Sequence, residues 1–317
     1  MTSLKLPLAT SVLAIAVTGA IPAVAATTGY SLGNNGATLV TMNDLDDPTD
    51  VSGVDLSDNV ILNALAYRPN TDQLYGFAQE TGIVYTVDRN TGQVAAQATI
   101  DASDPGVNVG EVGMDFNNVL DAARIVSTNE DNVVYFPDGN PDFSRVTDLA
   151  YNAGDVNEGE DPSVFANAYT NQVPMPEETT QFVLDSELDI LATLDNNEGT
   201  INTIGQVAVD GEVVDFSATG GFDIFSTMVG DNTGYALLST VDGEGLYRFD
   251  SLEATGANGL VMADFLGFVG DDFGNLDSLA VFDNAMPAPI PLPASALLLG
   301  GAMAGFGALR RRRKSAA

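Results

Sequence analysis

The chain of 317 residues contains no cysteine, no histidine and no tryptophan. Without cysteine there is no disulfide framework, no thiolate nucleophile and no thiolate metal site. Without histidine the chain lacks the usual general base near neutral pH and the commonest metal ligand. The missing tryptophan takes away the largest platform for stacking a sugar ring. Basic residues are scarce as well: 11 Lys and Arg stand against 44 Asp and Glu, a net charge of −33. Six of the eleven, Lys5, Arg310, Arg311, Arg312, Arg313 and Lys314, lie in the two ends. Between Asp44 and Asp283 the 44 acids therefore face only Arg68, Arg89, Arg124, Arg145 and Arg248, a net −39. A body this anionic repels nucleic acid and anionic lipid, and its natural counterparts are divalent cations or a salty medium.

What is present begins with two terminal signals. The N-terminus, "MTSLKLPLATSVLAIAVTGAIPAVAATT", has one lysine, an apolar run from about Leu8 to Val17, and Ala23-Val24-Ala25 as a small-residue cleavage site. This is the pattern of a secretory signal peptide over residues 1–25. At the other end, residues 285–293 form a proline-rich linker, residues 294–309 run for sixteen positions without a charge, and residues 310–317 carry the basic cluster. Sixteen residues span about 24 Å as a helix, short of a hydrocarbon core of roughly 30 Å, so the stretch predicts a marginal transmembrane helix. The cluster of Arg310, Arg311, Arg312 and Arg313 would stay cytoplasmic and leave the acidic body outside.

Pro291, Leu292, Pro293 and Ala294, a short apolar run and terminal arginines together resemble the VPLPA-type and PEP-type C-terminal sorting signals of Gram-negative bacteria, with Ile290 at the first motif position. The resemblance implies an exosortase-type processing protease as partner, an inner-membrane precursor, and final placement at the cell surface or in the extracellular matrix. A permanent tail anchor is the plainer alternative.

Between the ends, short β-rich segments are separated by Gly, Asn and Asp, with no long amphipathic helical pattern. "ILNALAYRP", "DQLYGFAQE", "GIVYTVDRNTG" and "QVAAQATID" read as four strands, the first starting near Leu62, and three further sets of four follow, with first strands starting near Glu111, Ser163 and Gly220. A fifth start near Leu276, "LDSLAVFD", breaks off after one strand, and its complement is available in "TTGYSLGNN", "ATLVTMND" and "TDVSGVDL". The pattern predicts a five-bladed all-β propeller over residues 27–284, closed by strands from both termini, because an open ring would leave bare edges. A β-sandwich is the alternative. "VGMDFN", "LDAARIVS", "AYNAGDVNEGEDPSVFANAYTN", "LDILATLDNNEGTINTIGQVAVD" and "GGFDI" resemble an uncharacterised bacterial domain of unknown function, over about residues 37–283. That likeness implies a propeller-like fold on a secreted protein and brings no mechanism.

Candidate chemistry is carboxylate chemistry. "GDVNEGEDPS" offers Asp155, Asn157, Glu158, Glu160 and Asp161 around a glycine, oxygen ligands of the kind Ca²⁺ takes; a solvated acidic loop is the competing reading. "NDLDDPTD" at 43–50 is a second acidic cluster. Asp115 in "GMDF" and Asp223 in "GFDI" take equivalent places on first strands, with Asp277 near that register. They could converge on a central channel to bind a cation or form an acid/base pair, or else tie down backbone N–H groups. Tyr75, Tyr85, Tyr135, Tyr235 and Tyr247 recur in second and third strands, as core packing would require, with ligand stacking as the alternative role. The expectation is an exported, acidic, non-enzymatic surface or matrix protein that binds Ca²⁺, an extracellular polysaccharide or another protein, and not nucleic acid. The alternatives are a glycan-active enzyme working with carboxylates alone, and a purely structural bead in a surface layer.

Overall fold

The structure, a computed structural model, describes residues 27–100, 110–139, 142–256 and 259–283. The signal peptide, the proline-rich linker, the sorting motif and the basic tail expected from the sequence lie outside the described residues. Among the described residues the chain is strand and turn, with two single-turn 3₁₀ helices.

The strands follow one another as β1 (Thr27–Gly33), β2 (Thr38–Met42) and β3 (Val51–Asp55), then β4 (Ala64–Arg68), β5 (Gln73–Ala78), β6 (Ile83–Val87) and β7 (Val94–Thr99). Next come β8 (Val112–Asn117), β9 (Ala122–Ser127), β10 (Asn132–Tyr135) and β11 (Phe143–Arg145). The middle of the chain supplies β12 (Ala150–Tyr151), β13 (Val164–Tyr169), β14 (Gln181–Asp185), β15 (Ile190–Asp195), β16 (Thr200–Val209) and β17 (Glu212–Val213). The last part supplies β18 (Gly220–Met228), β19 (Asp231–Thr240), β20 (Gly243–Phe249), β21 (Val261–Met262), β22 (Asp264–Phe268) and β23 (Asp277–Asp283).

Four sheets have four strands each: β23-β1-β2-β3, β4-β5-β6-β7, β8-β9-β10-β11 and β18-β19-β20-β22. The remaining sheet has seven, with β13-β14-β15-β16 as its antiparallel body. The sheets stand around a central axis in a propeller-like arrangement, and the β-sandwich alternative is not what forms. First strands touch in a ring: β4 packs on β8, β8 on β13, β13 on β18, β18 on β23, and β23 on β4. The apolar side chains sort accordingly into clusters between neighbouring sheets. Phe77, Met114 and Tyr135 fill one such space, and Phe165, Phe216, Phe222 and Phe249 another.

Position in the sheet explains each strand's composition. β8, β9 and β13 are buried along their whole length, so small and apolar residues dominate them and the polar ones they carry, among them Asp115, Arg124 and Asn167, are buried too. The outer β7 is mostly exposed and alternates Ala with polar residues. Closure follows the incomplete fifth repeat: β23 lies antiparallel to β1, with Thr27 opposite Asp283 and Tyr30 opposite Ala280. β1 thus begins at Thr27, the first residue of "TTGYSLGNN".

Two segments depart from the expected repeat. Ala150 and Tyr151 follow β11 in the chain but pair in parallel with Thr200 and Ile201 of β16 in the next sheet. "GLVMADFLGF" splits, with β21 joining β16 and β22 joining β20. β16 is ten residues long against six for β15, and its outer edge is free to take β12, β17 and β21.

Candidate functional site

The axis is where the sequence placed its carboxylates, and Asp115 and Asp223 are there, 3% and 2% exposed. Neither faces an open channel. Asp115 Oδ2 accepts the Tyr169 N–H at 2.6 Å and its Oδ1 the Phe116 N–H at 2.7 Å, so a carboxylate on β8 staples the neighbouring β13. Asp223 repeats the arrangement from β18 to β23: Oδ2 accepts the Val281 N–H at 2.6 Å and Oδ1 the Ile224 N–H at 2.7 Å. Burial raises the pKa of both above the ordinary carboxylate value, and the Asp223 charge adds to this at Asp115, while the backbone donors pull the other way. The third equivalent position holds Asn167, whose buried Oδ1 has no hydrogen-bond partner among the described residues. It lines the cavity on the axis, which also touches Gly113, Gly221 and Ser278 and measures about 10 Å³. That is room for about one water molecule and no substrate.

The two ends of the axis differ. Where first strands end, the loop joining β13 to β14 closes it. Gln172 Nε2 donates to both Asp223 oxygens at 3.0 and 3.1 Å, and Asn171 Oδ1 accepts the Gly230 N–H at 2.8 Å. Asn118 Nδ2 donates to the Asn171 carbonyl, and Met175 N–H donates to Asn70 Oδ1, so turns from four sheets are knitted over the exit. Where first strands begin, carboxyls gather. Glu244 accepts the Leu276 N–H at 2.9 Å, and burial raises its pKa to about 7. Burial, then the charge of Glu111, raises that of Asp277 to about 6. Asp277 thus lies at this mouth and not beside Asp115 and Asp223. Glu111 and Glu244 escaped sequence reasoning, because nothing in "NVGEVG" or "DGEGLY" distinguishes them from other surface acids.

The acidic loop at 155–161 is pinned to β16. Asp155 Oδ2 accepts the Thr203 N–H at 2.7 Å, and its Oδ1 accepts the Asn157 N–H and the Thr203 hydroxyl, which hold its pKa down against burial. Asn157 Nδ2 also donates to Thr203, and Glu158 Oε2 accepts the Gly154 N–H. Glu160 and Asp161 are exposed. The structure therefore brings Asp155 and Asn157 together and leaves the other acids outward. Among the described residues no group of three or more acids is gathered as a metal site. The 43–50 loop is closed on itself in the same way, through Asp44 to Asp46 N–H and Asp47 to Thr49. Tyr75, Tyr135, Tyr235 and Tyr247 are buried in the sheets, with Tyr85 only partly covered. Larger hollows lie at the periphery: one of about 420 Å³ beside Arg89, one of about 530 Å³ beside Arg248, and one of about 200 Å³ between Tyr247, Phe265 and Phe268. Among the described residues no helix is long and apolar enough to cross a membrane.

An all-β, propeller-like protein whose axis is closed at one end by the loop between β13 and β14 is the class that these features define. The chain belongs to the family described as Domain of unknown function (DUF4394), whose model matches residues 38–263. Among curated proteins no significant sequence match is found. Solved structures with a similar course include one from a nidogen/laminin complex, at 13% identity and TM-score 0.45, covering 80% of this chain and 98% of that one. A protein of unknown function from Bacteroides thetaiotaomicron gives 14% identity and TM-score 0.45, covering 82% and 66%. An auxiliary nutrient binding protein from the same organism gives 14% identity and TM-score 0.39, covering 65% and 55%.

Proposed function

We propose that this chain is an exported, acidic, non-enzymatic binding or structural module, displayed at a Gram-negative cell surface or in its matrix through a C-terminal sorting signal. In this reading the seven-stranded sheet is the fifth blade of a five-bladed propeller, and residues 1–25 and 285–317 are the export and sorting segments. The observation that supports a non-enzymatic role is the axis, where Asp115 and Asp223 spend their oxygens on backbone N–H groups around a cavity of about 10 Å³. Ligand classes that suit the reading are an extracellular polysaccharide or protein and, at the acidic loops, Ca²⁺.

The second reading, a glycan-active enzyme, draws on Glu244 and Asp277, whose pKa values near 7 and 6 suit an acid and a base. A glycan array scored for both retained protein and released reducing ends separates the two. Retention without release is expected, and release abolished by Glu244→Gln would transfer the function to the mouth. Ca²⁺ should raise the melting temperature more than Mg²⁺ at matched ionic strength; equal shifts would reduce the acidic loops to solvated charge. Display is read by intact mass of the protein from its host: loss of Arg310 to Lys314 is expected, and their retention would favour a permanent anchor.

A further inference from the structure

β22 is the outer strand of its sheet, and a bulge sets which of its side chains meet. Its ladder with β20 places Asp264 opposite Arg248 and Phe265 opposite Tyr247, then skips Leu266 and places Gly267 opposite Leu246 and Phe268 opposite Gly245. In an unbroken ladder residues three apart point to opposite faces. The skipped residue puts Phe265 and Phe268 on one face with Tyr247, while Leu266 packs into the core behind. The Tyr247 and Phe265 ring centres lie 5.3 Å apart, and those of Phe265 and Phe268 5.0 Å apart. The rings lie close on β20 because Gly245 has no side chain: a Cβ there would stand 2.6 Å from the Phe265 ring. Phe265 and Phe268 are 39% and 48% exposed, so the bulge leaves aromatic surface open where burial is the ordinary fate of such residues.

The platform borders the hollow of about 200 Å³, whose other wall includes Val209 at the end of β16 and Val214 just after β17. The hollow of about 530 Å³ adjoins it, since Val209 and Phe265 line both. Along this trough stand Asp210, Asp242, Asp250 and Asp264, with Arg248 as the one cation of the lining. Arg248 pairs with Asp250 and Asp264 at 3.0 Å each, and the Thr240 hydroxyl is engaged on the Gly243 carbonyl. The walls thus offer aromatic surface and carboxylate acceptors, and a fitting ligand brings donors and positive charge. An acidic polymer is repelled by the body, and a neutral sugar would cover the rings but leave the carboxylates without counter-charge. We propose that this trough binds a polysaccharide of amino sugars with free amines, such as a glucosamine polymer. The apolar C–H faces of its rings stack on Phe265 and Phe268, and its ammonium groups meet Asp210 and Asp242. Two adjoining hollows suit a chain of linked units better than a lone amine. The inference rests on the reading of this chain as a binding module and narrows its polysaccharide to a cationic one.

Calorimetric titration of the full-length chain at mildly acidic pH tests this with three probes of equal length: a glucosamine oligomer, its fully N-acetylated form, and a lysine peptide. The acetylated form keeps the rings and loses the charge, whereas the peptide keeps the charge and loses the rings. The glucosamine oligomer should bind several-fold tighter than either. Phe268→Ala and Asp242→Asn should each weaken it several-fold. Both positions are exposed, and a melting temperature equal to the parent's checks that each variant is folded. Asp88→Asn, which removes one exposed charge beside Arg89 and away from the trough, should leave binding unchanged. Equal affinity for the lysine peptide, or equal loss in Asp88→Asn, would reduce the effect to diffuse charge and overturn the proposal. Equal affinity for the acetylated form, or no binding of the glucosamine oligomer, would overturn it as well. Retention of other glycans alone would strike this site and leave the binding-module reading standing. Hydrolysis of a glucosamine oligomer held through Phe268 and Asp242 would support the site and strike the non-enzymatic reading, so the two failures are told apart.

Discussion

Asp223 is the side chain on which most of the axis converges, since it accepts from the Val281 and Ile224 N–H groups and from Gln172 within a fully buried space. Asp223→Ala would leave those donors without a partner or a route to water. A buried polar group stripped of its partner costs roughly 1–3 kcal/mol, so thermal unfolding of this variant should show a clear loss. An unchanged melting temperature would mean that water takes the place of the carboxylate.

Glu244 and Asp277 act on stability through pH. Their folded pKa values, about 7 and about 6, lie above the ordinary 4.5 and 3.8, so between these limits the native state holds protons that the unfolded chain releases. Stability is then fullest below the ordinary values and is lost as pH rises through about 7. Asp88, Asp121 and Asp155 are shifted down by hydrogen bonds and lose their contribution only in stronger acid. The melting temperature should therefore be higher at pH 5 than at pH 8, and Glu244→Gln should flatten that slope. A profile that rises from pH 5 to pH 8 would contradict both assignments.

At the scale of elements, first strands approach more closely than side chains ordinarily allow. A Cβ on Gly221 would stand 2.3 Å from the backbone carbon of Ser278, and one on Gly113 would stand 2.7 Å from Ala166 Cα. Gly221→Ala must push β23 away from β18, and overpacking of this kind costs about 1–3 kcal/mol, readable in urea unfolding. A variant as stable as the parent would show that the ring can loosen at no cost. Most strands were legible because the repeat places a small or apolar run at each first strand and Asn, Asp or Gly at each turn. Asp72 and Gly92, in two such turns, adopt positive φ. β12 and β21 were not legible: two-residue strands carry no period, and their partner is the free edge of an overlong β16. The aspartates could be placed by register alone, yet their role rests on N–H groups of strands about fifty residues away. The Gln172 plug and the Glu244 mouth arise only when the ring closes.

For the whole molecule, the described cations are committed within the ring. Arg68 pairs with Asp121, Arg89 with Asp72, Arg145 with Asp131 and Asp148, and Arg248 with Asp250 and Asp264. Arg124 donates to Asn132 and to the Asn196 carbonyl of the next sheet. The excess of acid stays on the surface, where it repels itself and favours salt, while the fold depends on a ring joined end to end. The pairing of Thr27 with Asp283 is where that closure is tested directly. In a chain otherwise free of cysteine, Thr27→Cys with Asp283→Cys should oxidise spontaneously to an intramolecular disulfide and raise the midpoint of unfolding. Thr27→Cys with Asp277→Cys, out of register because Asp277 lies opposite Leu32, should not. Free thiols in the first pair under oxidising conditions, or equal bonding in both, would contradict a ring closed between β1 and β23.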